Sequence, residues 1–167
     1  METVAEMQKL LLQNGFVVPN TSGSSMRPLL WGRHHRVVVV PLSGEPEVDD
    51  LLFFSYSTQA GVKNVVHRLV DVKDENGERI YITRGDNCLN CESVRRGDII
   101  GRVAEVHRLS GFRPWHAIPQ RKFAMTDRSY LRYSRVWAAT WPARRLCYLL
   151  RAHVRGVCAR LRSIYRK

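Results

Sequence analysis

Two different spacings of apolar residues follow one another along this chain. Residues 2–14 place apolar side chains at helical intervals, which predicts a short amphipathic helix that ends at Gly15. Between residues 36 and 108 the apolar residues fall instead in short β-branched runs, and residues 74–77 have the Asn-Gly signature of a tight hairpin turn. The predicted strands are residues 36–42, 51–57, 62–72, 79–83 and 98–108. This pattern predicts a mainly β fold, a small antiparallel coiled sheet or barrel.

Helical spacing returns near the end of the chain. The apolar and aromatic positions there are Tyr130, Tyr133, Val136, Trp137, Leu146, Leu149, Leu150, Val154, Val157, Leu161 and Ile164, with a break near Pro142. Arginines occupy many of the positions between them. We therefore predict a β domain at residues 1–110, a proline-containing linker at residues 111–125 and a basic amphipathic helical tail at residues 126–167.

The charge of the chain is as uneven as its apolar pattern. The net charge is +12, but residues 1–110 hold 13 Lys and Arg against 14 Asp and Glu, and residues 111–167 hold 14 basic residues and one acid. A tail of this kind, with Trp137 and Trp141 among arginines, is typical of a helix on an anionic membrane surface. The alternative is a helix packed on the body with a solvated arginine face. Nucleic acid is a less favoured partner because no nucleic-acid-binding module accompanies the charge.

No segment has the pattern of a secretory signal or of a membrane span. The first 16 residues carry Glu2, Glu6 and Lys9, and no stretch reaches the ~18–20 apolar residues that cross a bilayer. We therefore expect a cytoplasmic protein, held on the inner face of the membrane if the tail binds lipid.

The four cysteines do not indicate a cofactor or a metal. Cys88 and Cys91 form a Cys-x-x-Cys pair, but Cys147 and Cys158 are too far apart to supply the second pair of a zinc site. A redox pair would open a helix after a strand, whereas Cys88 follows turn residues. Reduced thiols are the expectation.

Three short segments carry side chains suited to catalysis. Ser25 lies in the polar segment 21–28, where a hydroxyl and nearby backbone N–H groups suit an acyl-transfer nucleophile. His67 lies in an apolar strand, and imidazole can accept a hydroxyl proton near neutral pH. Asp86 follows a strand, where a carboxylate could orient that histidine. Each residue taken alone also has an ordinary structural explanation, namely a serine-rich turn, a satisfied histidine and a turn aspartate.

Together these segments resemble the signal peptidase I superfamily of serine peptidases. Ser-Gly-Ser-Ser-Met-Arg-Pro at residues 22–28 resembles its nucleophile box, His-Arg-Leu-Val at residues 67–70 its general-base box, and Gly-Asp-Asn at residues 85–87 its third box. Residues 49–53 and 97–101 resemble two further strand segments of the family. The resemblance covers about residues 10–108, in the family's order.

The resemblance implies an antiparallel β-sheet peptidase that cleaves a precursor protein or peptide. It implies Ser25 as the nucleophile, His67 as the general base and Asp86 as the group that orients His67. A histidine base is the arrangement of the endoplasmic-reticulum and archaeal members. Those relatives also carry a second acid after the third box, and either Glu92 or Asp98 could take that place.

Some features depart from the family pattern and leave alternatives open. Gly23 stands where many bacterial signal peptidases have a serine, Lys63 lies on the strand face of His67 but outside the box, and the N-terminal membrane anchor of ordinary signal peptidases is not seen. One alternative is a self-processing regulator, although about 20 residues before Ser25 are too few for a DNA-binding domain. The other is a catalytically inactive binding module on the same fold.

Overall fold

The protein is built around one antiparallel β-sheet, and the computed structural model describes residues 4–20, 22–32, 34–58, 61–109 and 119–164. The strands are β1 (His35–Val40), β2 (Leu51–Thr58), β3 (Gly61–Glu75), β4 (Glu78–Arg84), β5 (Cys91–Arg95), β6 (Ile99–Leu109) and β7 (Pro119–Ala124). The helices are α1 (Val4–Asn14), α2 (Arg128–Ala139) and α3 (Trp141–Ile164). Strand outweighs helix, which confirms the predicted mainly β fold class.

The strands follow the order β1-β6-β2-β3-β4-β5, and β7 pairs with β6 beside this path. Because β1 and β5 lie at its two ends, the sheet is open rather than a closed barrel. The β3–β4 hairpin turns at Asn76 and Gly77, whose φ angles of 53° and 81° match the turn that an Asn-Gly pair favours. The register set by this hairpin shifts by one residue between Leu69 and Asp71, and after that shift Arg68 pairs with Arg84 at the other end of the two strands.

The core lies where β2, β3, β4 and β5 meet the start of β6. Its buried members are Leu52, Phe54, Leu69, Tyr81, Val94 and Ile99. Each such side chain contributes about 1.5–3 kcal/mol when it leaves water. Strands β3 and β5 of this core also carry the candidate site residues His67 and Glu92.

Strand β6 bends at Gly101, as the sequence predicts. Its pairing with β2 shifts by one residue between Phe53 and Phe54. A Cβ at residue 101 would lie 2.5 Å from the Val40 carbonyl oxygen and 2.7 Å from a Leu11 methyl group. Only glycine therefore allows α1 and β1 to pack this closely against β6.

The predicted domain boundaries need correction. Residues 119–124 of the predicted linker form β7, which pairs with β6, while residues 111–118 lie outside the described residues. The chain divides into one unit that runs to Leu131 and a second that begins at Arg132. Strand β5 was also not predicted, because its polar sequence lacks a β-branched run.

The C-terminal segment is helical, with a break at Thr140 that is close to the predicted position. Pro142 is the second residue of α3, where its missing N–H breaks no helical hydrogen bond. The Arg144 guanidinium lies 3.7 Å from the ring centroid of Trp137. Among the described residues, no helix is long and apolar enough to cross a lipid bilayer.

Candidate active site

Ser25 lies half-buried in a loop at residues 22–30, here called the nucleophile loop. The turn at residues 85–87, here called the Gly-Asp-Asn turn, is hydrogen-bonded to this loop. The Asn87 backbone N–H donates to the Ser25 carbonyl oxygen at 2.7 Å, and the Asn87 side-chain amide donates to the Ser24 carbonyl oxygen at 3.2 Å. Two segments that the sequence singles out are thus in direct contact.

Gly85 leaves room for Ser25 at the end of β4. A Cβ at residue 85 would lie 2.7 Å from the Ser25 carbonyl oxygen and 3.0 Å from Ser25 Cβ, so glycine leaves the space that the serine occupies. Because Arg68 pairs with Arg84, the register continued by one residue sets Gly85 opposite His67. Opposite Cβ positions in an antiparallel pair are about 4.5–5.5 Å apart. Gly85, which contacts Ser25, therefore lies opposite His67 in the continued register.

His67 is buried, and its two ring nitrogens have different surroundings. Nδ1 lies 3.0 Å from Glu92 Oε2. Since a carboxylate only accepts hydrogen bonds, Nδ1 carries the proton and Nε2 is the basic nitrogen of the neutral ring. Nε2 has no hydrogen-bond partner among the described residues, so the Ser25 hydroxyl does not donate to it in this structure. Catalytic hydrogen bonds are often long before substrate binds.

Glu92 is therefore the acid that contacts His67, and Asp98 is not. Glu92 belongs to β5 opposite Thr83 of β4, and the Thr83 hydroxyl donates to Glu92 Oε2 at 3.3 Å. Asp98 lies exposed in the turn before β6. The sequence left these two acids open, and the strand register decides between them.

The predicted contact between Asp86 and His67 is wrong. Both Asp86 oxygens accept hydrogen bonds from Arg68 instead, from Nε at 2.8 Å and from Nη2 at 2.8 Å. Arg68 follows His67 on β3, so its side chain points to the opposite face of the sheet. Asp86 is thus bonded to the neighbouring residue of the general-base box.

Arg68 is itself buried, and a second group completes its surroundings. Its Nη1 donates to the Tyr130 hydroxyl at 2.8 Å and to the Asp49 carbonyl oxygen at 3.3 Å. Burial alone lowers the pKa of Arg68, but the hydrogen bonds and charge of Asp86, together with Tyr130, outweigh it and raise that pKa above its ordinary value. Sequence reasoning missed this role of Arg68, although an arginine inside an apolar strand is a signal for a buried charge pair.

The two thiols of the Cys-x-x-Cys pair are free and differ in exposure. Cys88 is half-buried beside Gly85, whereas Cys91 is exposed at the start of β5. Burial raises the pKa of the Cys88 thiol, and the charges of Glu92 and Asp86 raise it further. Among the described residues, no group of three His, Cys, Asp or Glu side chains is arranged to hold a metal ion.

A small cleft of about 90 Å³ opens beside Ser25. Its apolar lining includes Met26, Leu30, Phe53 and Val65. An apolar cavity of about 150 Å³ holds a benzene ring, so this smaller cleft suits a short aliphatic side chain. Lys63 lies on the same strand as His67, four residues before it, and is paired with Tyr56 of β2. Its side chain is exposed.

No family model, no curated protein and no solved structure matches this chain in the three comparisons. The resemblance to signal peptidases thus depends on the sequence boxes alone.

Proposed function

We propose that the protein is a serine endopeptidase of the signal peptidase I type, with Ser25 as nucleophile and His67 as general base. The observation that carries the proposal is the state of His67. A buried imidazole whose Nδ1 is bound to Glu92, and whose Nε2 has no partner in the part of the chain that the structure describes, is suited to accept a proton. An unpaired buried polar atom costs about 1–3 kcal/mol, and a catalytic role gives that cost a reason.

The proposed reaction follows from these positions. His67 Nε2 takes the Ser25 hydroxyl proton while Oγ attacks a peptide carbonyl, and the Ser25 backbone N–H stabilises the oxyanion. His67 then returns the proton to the leaving amine, which departs and leaves an acyl-enzyme. Water attacks the acyl carbonyl while His67 takes its proton. His67 then gives that proton to Ser25 Oγ as the ester bond breaks, and the acyl group leaves as a carboxylic acid that ionises in water. Glu92 stabilises the imidazolium in both steps, and Asp86 supports the nucleophile loop through Arg68 and Asn87 rather than by contact with His67.

The proposed substrate is a peptide segment with a small aliphatic side chain before the cleaved bond. The cleft beside Ser25 supports this, since its volume is about 90 Å³ and Phe53 and Met26 belong to its lining. The identity of the precursor is a matter for a peptide library.

Active-site labelling tests the proposal. We expect a fluorophosphonate or penem probe to label the wild type, and Ser25→Ala and His67→Ala to lose the label. Ser24→Ala is the matched control, because Ser24 is exposed in the same loop and only its carbonyl oxygen is bound. Mass spectrometry of a peptide library then shows cleavage. Labelling that survives in Ser25→Ala would exclude the assignment.

Two other outcomes would favour the alternative functions. A folded wild type that neither labels nor cleaves any peptide would favour a catalytically inactive binding module. Cleavage within this chain alone, lost in Ser25→Ala, would favour a self-processing regulator.

We further propose that the C-terminal helices lie on an anionic membrane surface, on the inner face of the cytoplasmic membrane. In α3, Leu146, Leu149, Leu150 and Val154 are all exposed. They fall on one face of the helix, and Arg145 and Arg151 lie at its two edges. An exposed apolar face flanked by arginines is the pattern of an interfacial helix.

Vesicle flotation tests the membrane contact. We expect binding to vesicles with anionic lipid and weak binding to neutral ones. Replacing Leu149 and Leu150 with Ala should weaken binding to both, whereas replacing Arg145 and Arg151 with Gln should weaken only the anionic case, by roughly 20- to 30-fold at about 1 kcal/mol per charge. Binding to neutral vesicles and to nucleic acid that is as strong as binding to anionic vesicles would contradict the proposal.

A further inference from the structure

Tyr130 contacts the catalytic unit although it lies about 40 residues after the last residue of the candidate site. It is the third residue of α2, and it is buried. Its hydroxyl accepts a hydrogen bond from Arg68 Nη1 at 2.8 Å and donates one to the Asp49 carbonyl oxygen at 2.9 Å. Its ring centroid lies 5.6 Å from the Arg68 guanidinium carbon.

A continuous series of contacts leads from this tyrosine to the nucleophile. Tyr130 holds Arg68, and Arg68 holds both oxygens of Asp86 at 2.8 Å. Asp86 precedes Asn87, whose backbone and side-chain amides hold the carbonyl oxygens of Ser25 and Ser24.

Burial makes each member of this series necessary. A buried ion pair is favourable only when hydrogen bonds satisfy the remaining donors. Asp86 occupies Nε and Nη2 of Arg68, and Tyr130 is the short contact of Nη1. Without the hydroxyl, Nη1 would lose its shortest contact and keep longer ones to Asp49, at 3.3 Å to the carbonyl oxygen and 3.9 Å to Oδ1. The guanidinium would then shift towards other acceptors, and Asp86 with it.

We infer that Tyr130 is a positioning residue for Ser25, acting through Arg68 and Asp86 on the Gly-Asp-Asn turn. In this way the first turn of α2 becomes part of the catalytic unit. The effect on catalysis rests on the proposed peptidase function, whereas the effect on the turn does not.

The first test is hydrogen exchange of single backbone amides, followed by NMR in the full chain. Tyr130→Phe keeps the ring and removes the hydroxyl. We expect the Asn87 amide, which binds the Ser25 carbonyl oxygen, to exchange several-fold faster in this variant. The Val39 amide, bound to the Val17 carbonyl oxygen, should be unchanged. Tyr81→Phe is the matched control, because Tyr81 is an equally buried tyrosine whose hydroxyl binds Glu45.

The second test is the rate of probe labelling at Ser25. We expect Tyr130→Phe to lower it about three- to ten-fold, the range of coupling through packed networks, and Tyr81→Phe to leave it unchanged. In an Asn87→Ala background, which already lacks one of the two bonds to the nucleophile loop, Tyr130→Phe should lower the rate by a smaller factor.

The outcomes separate this inference from the peptidase proposal. Faster Asn87 exchange in Tyr130→Phe without any labelling of the wild type would support the positioning role and remove the proposed activity. Normal labelling with unchanged Asn87 exchange would overturn the positioning role and leave the activity. Faster exchange of Val39 and Asn87 alike, or equal effects in both backgrounds, would also overturn it, because either result indicates general loosening.

Discussion

His67 and Arg68 are neighbours on β3, yet the two faces of this strand use a base and a carboxylate in opposite ways. On one face, His67 Nδ1 contacts Glu92, which is partly exposed. On the other, Arg68 binds Asp86 through two short hydrogen bonds, and both side chains are almost fully buried. Among the residues that the structure describes, the first pair leaves His67 Nε2 without a partner, whereas every guanidinium nitrogen of Arg68 is hydrogen-bonded.

This difference separates a structural pair from a chemical one. A guanidinium keeps its charge at every physiological pH, so full pairing with Asp86 makes it a fixed support. Imidazole gains and loses a proton near neutral pH, and a carboxylate on Nδ1 leaves Nε2 available for that exchange. The comparison predicts that damage to the first pair is measured as lost stability and damage to the second as lost rate.

The largest effect on stability is expected from Asp86→Ala. It leaves the buried Arg68 charge without its carboxylate, so we expect the free energy of unfolding to fall by about 3–5 kcal/mol. Urea denaturation measures it. Asp74→Ala is the control, since Asp74 pairs with Arg79 on the surface at 3.9 Å, and such pairs contribute about 0–1 kcal/mol. Equal losses in both variants would contradict the structural role of the pair.

Glu92→Gln should reverse this pattern. An amide can donate to His67 Nδ1 and so place the proton on Nε2, which removes the base, and we expect a fall in labelling rate of about 10²- to 10⁴-fold. The free energy of unfolding should change by less than about 1 kcal/mol, because a hydrogen bond can still form. The matched control is Glu78→Gln on the exposed start of β4, which should leave the rate unchanged. A rate equal to that of the wild type would mean that Glu92 does not orient the base.

Thr83→Val should have a smaller effect on the same pair. The Thr83 hydroxyl lies 3.3 Å from Glu92 Oε2, so its loss frees the carboxylate to rotate. We expect a fall in labelling rate of about two- to five-fold. The upper value corresponds to the loss of one neutral hydrogen bond of about 1 kcal/mol. Thr83→Ser, which keeps the hydroxyl, should restore the rate. Failure of serine to restore it would point to packing rather than to the hydrogen bond.

A prediction that changes neither pair concerns the Cys88 thiol. Because burial, Glu92 and Asp86 raise the pKa of Cys88, less of it is thiolate at pH 8, and iodoacetamide should alkylate Cys88 about ten-fold more slowly than the exposed Cys91. Because folding raises the pKa of Cys88, the protonated thiol favours the folded state. Its contribution to the free energy of unfolding is fully present below the unfolded-state pKa and is lost as the pH rises through the folded-state pKa. Peptide mapping measures both thiols, and faster alkylation of Cys88 would contradict the shift.

Much of the fold could be predicted because it depends on local patterns. Period-two runs, the Asn76-Gly77 turn and the bend at Gly101 each depend on residues close in sequence, and all are present in the structure. Strand β5 was missed because Cys91–Arg95 is polar, and its pairing with β4 rather than its own sequence defines it. Strand β7 was missed because Pro119 suggested a linker, and it is likewise defined by its pairing, here with β6.

The candidate site divides in the same way. Ser25, His67 and the Gly-Asp-Asn turn could be named from sequence, because short boxes of fixed residue types carry them. The partners of those residues depend on which strands are adjacent and in which register. Glu92 reaches His67 only because β5 pairs with β4, and Asp86 binds Arg68 because that side chain points to the other face.

The sequence by itself determined the mainly β fold class, the positions of most turns and the candidate residues Ser25 and His67. Each of these follows from side-chain type and spacing within a few residues. Only the tertiary structure decided which carboxylate serves the histidine, which serves the arginine and that Tyr130 belongs with them. Those contacts join residues 18, 25 and 62 positions apart, and no local pattern records which distant groups a folded sheet will bring together.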